Sequence, residues 1–476
     1  MMKKGTFSRR RFLAGTAAAS AAFSLFPGRV LGANDRVNIG IIGLGGKGGA
    51  HLADFGKIPN VEILAVCDAD KARMEKAGDK IAKHQDLRRL IEMKDIDAVV
   101  IATPDHWHCL AAIMAFQAGK HAYVEKPVSH CIWEGRKMVE AARKYNRIVQ
   151  TGTQQRSCPA VQECAKDIQS GMYGKVLWAH CSKLDARDPI GKVDGPQPPP
   201  ETVDYNLWAG PAPMAPIMRK EFHYDWHWQW DWGTGEMGNW GVHYLDDLRH
   251  LLGWDDVPGN AIAAGNRWWD DDGETPNMHM CLMEHRGTKI VIDIRNMKDP
   301  KKGGDQGAVY LKSRGGNYLM CENGYINIAR GGGKAFDKDG KQIKQYKGTG
   351  GSGHDANFIN AIREGSNKSL AAEIEIGHMS TVLCHQANIA FRVGKAASVE
   401  EVRESVKQHE DALNTLESMV EQLHGNAVDL KAKPFILGPK LTYDAKTETF
   451  TGDHAEEANA FVKRIYREPF VVPDNV

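Results

Sequence analysis

The sequence predicts an α/β protein with a helix-covered parallel sheet in its N-terminal part and a large open, mostly antiparallel sheet in its C-terminal part. Three observations lead there. Between Val37 and Thr151 continuous apolar runs alternate with helical segments, the pattern of strands buried on both faces. A glycine-rich turn, Gly43-Leu44-Gly45-Gly46-Lys47-Gly48, follows the first of those runs. Beyond about residue 155 short strands succeed one another through turn residues, which favours antiparallel pairing.

In the first part, Val37–Ile42 reads as a strand that feeds the turn and a helix through Phe55. Val61–Cys67 is the next strand, ending in Asp68, and a helix is expected over Lys71–Lys83. Asp97–Thr103 is a third strand, and the helix from Trp107 stops at Gly119, a natural left-handed cap. Strand His121–Glu125, helix Trp133–Tyr145 and strand Ile148–Thr151 complete this part.

The second part opens with helix Pro159–Gln169, strand Val176–Ser182 and a Pro- and Trp-rich stretch over 185–232. Helix Gly238–Leu252 follows, then strands near Ile262 and at Met278–Met283, Lys289–Arg295, Ala308–Lys312 and Tyr325–Ala329. Lys338-Asp339-Gly340-Lys341 reads as a hairpin turn. Helices are expected over 354–364, 376–393 and 400–424, before a mixed tail. The expected division is 34–155, 156–397 and an extension over 398–476, with residues 1–33 set apart.

Those first 33 residues read as an address. Lys3 and Lys4 precede Ser8-Arg9-Arg10-Arg11-Phe12-Leu13, an alanine-rich apolar stretch from Ala14 to Phe26, and small residues around Gly32–Ala33. The twin arginine resembles the bacterial twin-arginine export signal. That implies a periplasmic protein exported already folded around any cofactor; cleavage near Gly32–Ala33 and retention as an anchor both stay open.

The 476 residues carry 61 Lys and Arg against 60 Asp and Glu, a net charge of +1. This balance excludes a general nucleic-acid binder, which needs a basic stripe to neutralise phosphates. No apolar run reaches the roughly 18 residues of a membrane span. The nine cysteines form no C-x-x-C pair, so zinc ribbons and thioredoxin-type motifs have no support. The 12 tryptophans are clustered rather than spread.

The glycine turn gains its meaning from context: a strand before it, a helix after it, and Asp68 twenty residues past its last glycine. Gly43 makes the tight turn, Gly45 lets a pyrophosphate approach the backbone, and Gly48 packs helix on strand. The helix N-terminus attracts the phosphates, with Leu44, Gly46 and Lys47 beside them. Asp68 would accept hydrogen bonds from the ribose hydroxyls, which favours NAD; Lys71 and Arg73 soften that preference, so NADP stays open. These features define a Rossmann dinucleotide-binding domain.

Two further constellations sit at the carboxyl ends of strands, where open parallel sheets bind ligands. Thr103-Pro104-Asp105-His106-Trp107-His108 offers Thr103, Pro104, Trp107 and His108 to the cofactor. Glu125-Lys126-Pro127 offers Glu125 to the cofactor and Lys126 to both cofactor and substrate, because desolvation and a nearby cation lower a lysine pKa towards acid–base use. Gln154 joins the cofactor set, and Gln155, Arg156 and Lys183 join the substrate set.

These motifs, in this order, resemble the glucose–fructose oxidoreductase and inositol dehydrogenase (Gfo/Idh/MocA) family over about 36–397. The resemblance implies a larger α/β substrate domain and a homo-oligomer, dimer or tetramer. Gly235-Glu236-Met237-Gly238-Asn239-Trp240-Gly241-Val242-His243 resembles the family's second signature, in which an Asp and a His lie four apart. Here His243 matches the histidine, but Asn239 stands where the family has the aspartate. Acid–base duty would therefore fall on His243 and Lys126, with Asn239 binding substrate.

Tyr205, Trp208, Phe222, Tyr224, Trp226, Trp228, Trp230 and Trp232 crowd into one stretch. At period two, Trp226, Trp228, Trp230 and Trp232 would share a face if extended. Tryptophan faces stack on sugar rings, so Tyr224, Trp226 and Trp228 are assigned to a carbohydrate cleft, and no metal site is assigned from His223, Asp225 and His227. The function expected is an exported NAD(P)-dependent oxidoreductase of a sugar, polyol or glycoside hydroxyl, with its cofactor held tightly. The alternatives are glycoside cleavage by transient oxidation, whose family branch carries a Gly-Gly-His-Gly-Gly segment that this chain lacks, and a binding protein on the same fold.

Overall fold

In the first sheet each strand is short and apolar because helices cover both of its faces. The computed structural model describes residues 36–301 and 306–476, and within it Val37–Val476 form one unit. The export segment expected over 1–33 lies outside the described residues. Six parallel strands, β1 (Val37–Ile42), β2 (Val61–Cys67), β3 (Ala82–His84), β4 (Ala98–Ile101), β5 (His121–Val124) and β6 (Val149–Thr151), run in the order β3-β2-β1-β4-β5-β6. This is the doubly wound arrangement, with its switch point between β1 and β4.

One element here differs from expectation. The helix predicted over Lys71–Lys83 ends at Met74 and passes through a 3-10 turn, Glu75–Ala77, into Gly78 at φ 78°. The chain past that left-handed glycine joins the sheet edge as β3, so the end of β3 becomes part of the ligand rim.

The second sheet takes β7 (Val176–Lys183), β8 (Asn260–Asn266), β9 (Met278–His285), β10 (Thr288–Arg295), β11 (Gly315–Cys321), β12 (Gly324–Ala329), β13 (Gly332–Phe336) and β14 (Gln342–Lys347). Only β7 and β10 pair in parallel; every other pairing in this sheet is antiparallel. The strand predicted over Ala308–Lys312 does not form, because Leu311 and Lys312 take positive φ, 47° and 63°, and turn the chain before β11. Strands β15 (Lys395–Ala397), β16 (Phe435–Leu437) and β17 (Leu441–Asp444) extend the β8 side, and β18 (Thr449–Thr451) pairs with β17.

Helices Pro159–Gln169, Val242–Leu252 and Ile374–Arg392 cover one face of this sheet through Val161, Leu245, Leu248 and Leu383. The helix predicted over 400–424 is two, Val399–Val406 and Glu410–Gly425, broken where His409 turns extended at φ −127°. Their Val402, Leu416, Met419 and Leu423 pack on Met280 and Val291 of the sheet. Later chain also returns to the first sheet: Phe358 and Ile359 enter the core beside Ile39, and Phe470 packs with Val128 and Trp107.

Candidate functional site

The carboxyl ends of β1 to β5 open onto one cavity, lined in turn by Ile42, Cys67, Gln85, Ala102 and Glu125. The turn after β1 lies at its floor. Gly43 holds φ 86°, and a Cβ there would meet the Ala102 carbonyl oxygen at 2.6 Å. A Cβ on Gly48 would overlap the Gly43 carbonyl oxygen, so that glycine serves helix packing and does not line the cavity. No side chain caps helix Gly46–Phe55, which leaves its first N–H groups open beside Gly45, Gly46 and Lys47. Leu44 contributes its main-chain N–H to Asp68 Oδ2 at 2.7 Å.

Asp68 lines the cavity and also accepts from Asp70 N at 2.9 Å. Burial raises its carboxyl above the usual range against the pull of those two N–H groups. Arg73 faces the same corner; its guanidinium nitrogen stands 2.5 Å from where a Cβ on Gly45 would project. A bare turn, an open helix start and a buried acceptor carboxylate fit a dinucleotide.

Glu125 gathers the next part. Its Oε1 lies 2.8 Å from His51 Nε2, 3.5 Å from Gln154 Nε2 and 4.0 Å from Lys47 Nζ. Burial opposes ionisation, but the His51 hydrogen bond and the neighbouring cations hold this carboxyl below the usual range.

The Thr103–His108 constellation has a second role that sequence reasoning missed. Thr103, Pro104, Asp105, Trp107 and His108 line the cavity, yet their polar atoms hold other parts of the chain. Asp105 Oδ2 accepts from Thr234 Oγ1 at 2.7 Å, and Trp107 Nε1 donates to Leu207 O and Trp208 O at 3.0 Å. His106 lies 2.9 Å from Trp208 O, and His108 lies 2.6 Å from Pro127 O and 2.8 Å from Thr103 O. The motif thus docks the aromatic stretch onto the first sheet.

Across the cavity the helix predicted from Gly238 begins as a π-turn, Met237–Gly241, before Val242–Leu252. Such turns are frequent at functional sites. Lys126 Nζ donates to Asn239 O at 2.8 Å and to Asn239 Oδ1 at 3.4 Å. Burial lowers its ammonium below the ordinary lysine value against the opposing pull of Glu125, Asp105 and Glu236. His243 lines the same wall; its Nδ1 is buried without a hydrogen-bond partner. Burial, then Lys126 and Arg330, push this imidazole well below its usual value. A neutral histidine and a shielded lysine therefore share one wall.

Four of the predicted substrate residues stand elsewhere. Arg156 is drawn to buried Asp246, with Nε at 2.8 and 2.9 Å from its two oxygens, and this ion pair locks helix Val242–Leu252. Gln155 is buried behind the cavity wall, and its amide atoms have no partner. Lys183 pairs with Asp185 and stands 4.9 Å from the Trp240 ring centre. Trp228 packs under Arg187, whose guanidinium lies 5.4 Å from the ring.

The tryptophan ladder does not form either, because Asp225–Trp228 is a 3-10 turn and not a strand. Trp208, Phe222 and Trp232 close around the Arg219 guanidinium at 4.9, 4.7 and 4.5 Å in a small core, and of these three Trp208 also lines the cavity. Tyr224 and Trp226 reach the cavity, as does Trp240, which was not assigned a role from the sequence. His223 is bonded to Asp70 and His227 to Tyr224 O, so neither joins Asp225. Gln85, Asp86 and Leu87 were missed because β3 was read as helix; Arg330 carried no local signal.

The family model described as an oxidoreductase family with NAD-binding Rossmann fold matches residues 37–153. That for the C-terminal alpha/beta domain of an oxidoreductase family matches 159–320. Inositol 2-dehydrogenase 1 of Saccharopolyspora erythraea is 32% identical over 157 residues, 32% of this chain and 47% of that protein. A glycosyl hydrolase family 109 protein of Shewanella baltica is 36% identical over 122 residues, 23% of this chain and 27% of that protein. The matches thus span less than half the length of either relative. Levoglucosan dehydrogenase, solved with NADH and levoglucosan, shares the fold: TM-score 0.56 at 19% identity, over 74% of this chain and 96% of that one. Since the two family models together match more than half of the sequence, the chain belongs to the Gfo/Idh/MocA oxidoreductase family and carries its NAD-binding Rossmann domain.

Proposed function

We propose that this protein interconverts a hydroxyl and a keto group on a sugar, polyol or glycoside, using a nicotinamide dinucleotide held tightly in the cavity. The observation that carries the reading is the meeting of Lys126 and His243 in one cavity with the glycine turn and Asp68. The dinucleotide, when bound, supplies a hydride acceptor for the carbinol carbon. Lys126 would hold the substrate hydroxyl and stabilise developing alkoxide charge. His243, a neutral imidazole on the cavity wall, would take the hydroxyl proton. Tyr224, Trp226 and Trp240 offer apolar surface to a sugar ring. That inositol and levoglucosan dehydrogenases are relatives in sequence or fold supports this substrate class.

Mass spectrometry of small molecules released on denaturing the purified protein should find NAD, and added sugars or glycosides should change nicotinamide absorbance. Protein that carries and binds no nucleotide overturns the reading. The hydrolase relative favours glycoside cleavage as a second reading. Release of an aglycone from a chromogenic glycoside, without added hydride acceptor, would promote it over the first.

Twin-arginine export and a homo-oligomeric state belong to the same proposal. The first rests on Ser8-Arg9-Arg10-Arg11-Phe12-Leu13. An Arg9→Lys/Arg10→Lys variant that still reaches the periplasm would remove it, and light scattering of the purified protein reads the second.

A further inference from the structure

A buried chain of polar contacts runs away from Lys126. Lys126 Nζ donates to Asn239 O at 2.8 Å and Oδ1 at 3.4 Å, and Asn239 Nδ2 donates to Glu236 Oε2 at 3.2 Å. Glu236 Oε1 in turn accepts from Arg187 Nε at 3.1 Å and from its second nitrogen at 3.0 Å. Arg187 also donates to the Tyr224 hydroxyl at 3.0 Å. Glu236 is 1% exposed, so its charge has no water to screen it and Arg187 compensates it. An amide has one donor end and one acceptor end. With the donor end held by Glu236, the acceptor end of Asn239 must face Lys126.

We propose that Glu236 is a positioning residue of this site, supplying through Asn239 the negative charge that keeps the proton on Lys126 Nζ. This rests on the reading of Lys126 as an acid–base group. Asn239 cannot take that proton, and its carbonyl and amide oxygens orient the ammonium. The charged groups facing Lys126 are Glu125, Asp105 and Glu236, with Arg330 opposing them, and the neutral His243 ring stands beside the lysine. Of the three carboxylates, Glu236 alone connects to Lys126 through a side-chain amide. A consequence follows for position 239. An aspartate there would set a carboxylate directly against Lys126 Nζ and strengthen the hold on its proton.

The test follows Lys126 itself, so it does not depend on turnover. Full-length protein is labelled with acetic anhydride across a pH series, and acylation of Lys126 is read by peptide mass spectrometry. Glu236→Gln should move the half-point of labelling about one pH unit lower, because a stabilising negative charge is lost. Asn239→Asp should move that half-point higher, because a carboxylate then faces the ammonium directly. The double variant Glu236→Gln/Asn239→Asp should fall between the two single variants. An unmoved labelling half-point in folded Glu236→Gln overturns the proposal. If Glu236→Gln does not fold, Asn239→Leu decides: it breaks the link between Glu236 and Lys126, so the labelling half-point should fall, and an unmoved half-point overturns the proposal. If labelling responds as expected but no sugar is turned over, the proposed function fails and this assignment stands.

Discussion

His223 Nε2 lies 2.8 Å from Asp70 Oδ2, which ties the aromatic stretch to the loop that follows Asp68. Main-chain bonds reinforce the tie: Lys71 N to Thr202 O at 3.0 Å and Asp204 N to Ala69 O at 2.9 Å. Asp68 and His223 both line the cavity, so residues 202–223 strap the Asp68 end of the cofactor site. Replacing His223 with alanine removes one hydrogen bond to a carboxylate, about 1–2 kcal/mol. We expect His223→Ala to release bound NAD roughly 5- to 30-fold faster, a factor set by that energy. A chase of bound cofactor by excess labelled NAD measures it, and an unchanged release rate would show that the strap does not control exit.

Lys126→Ala and His243→Ala should each lower turnover by about 10²–10⁴-fold, the usual worth of a positioned acid or base. NAD retention should persist in His243→Ala. Burial lowers the Lys126 ammonium below the ordinary lysine value. Because Lys126 acts as the ammonium, turnover should fall as pH rises through a half-point below that value, and Lys126→Ala should abolish the limb. A pH–rate profile unaltered by Lys126→Ala would remove Lys126 from the chemistry.

Asp68 is the acceptor at the end of β2, with Arg73 close by. Asp68→Ala should shift preference from NAD towards NADP by at least about tenfold, because the repelling carboxylate is gone and the guanidinium remains. Dissociation constants for both dinucleotides check this; an unchanged ratio would mean that Asp68 does not read the ribose.

His279 sits in the core against Phe391 with both ring nitrogens buried, and burial lowers it to about 4 against the pull of the Ala387 backbone. Between pH 6.5, the unperturbed value, and about 4 the unfolded chain binds more protons at this residue than the folded one. Its contribution to stability is therefore intact above that window and lost as pH falls through it. His279→Leu should flatten the fall of Tm between those limits. Parallel curves for parent and variant would exclude His279 as a source of acid sensitivity.

The sequence by itself determined what rests on local signals. Apolar runs placed β1, β2, β4 and β5, and the Gly43–Gly48 turn with Asp68 marked the dinucleotide end, since strand, turn and helix propensities act over a few residues. Lys126 and His243 were legible as chemistry, although 117 residues apart, because each belongs to its own short motif. The tertiary structure decided what depends on distant partners. Asp246 draws Arg156 away from the cavity, Arg219 turns the tryptophans into a core, and Thr234 and Trp208 make the Thr103–His108 motif a docking point. In each case a buried polar or aromatic group took a partner that satisfied it, across 90 to 130 positions for Arg156 and the Thr103–His108 motif and across 11 to 13 for Arg219 and its tryptophans.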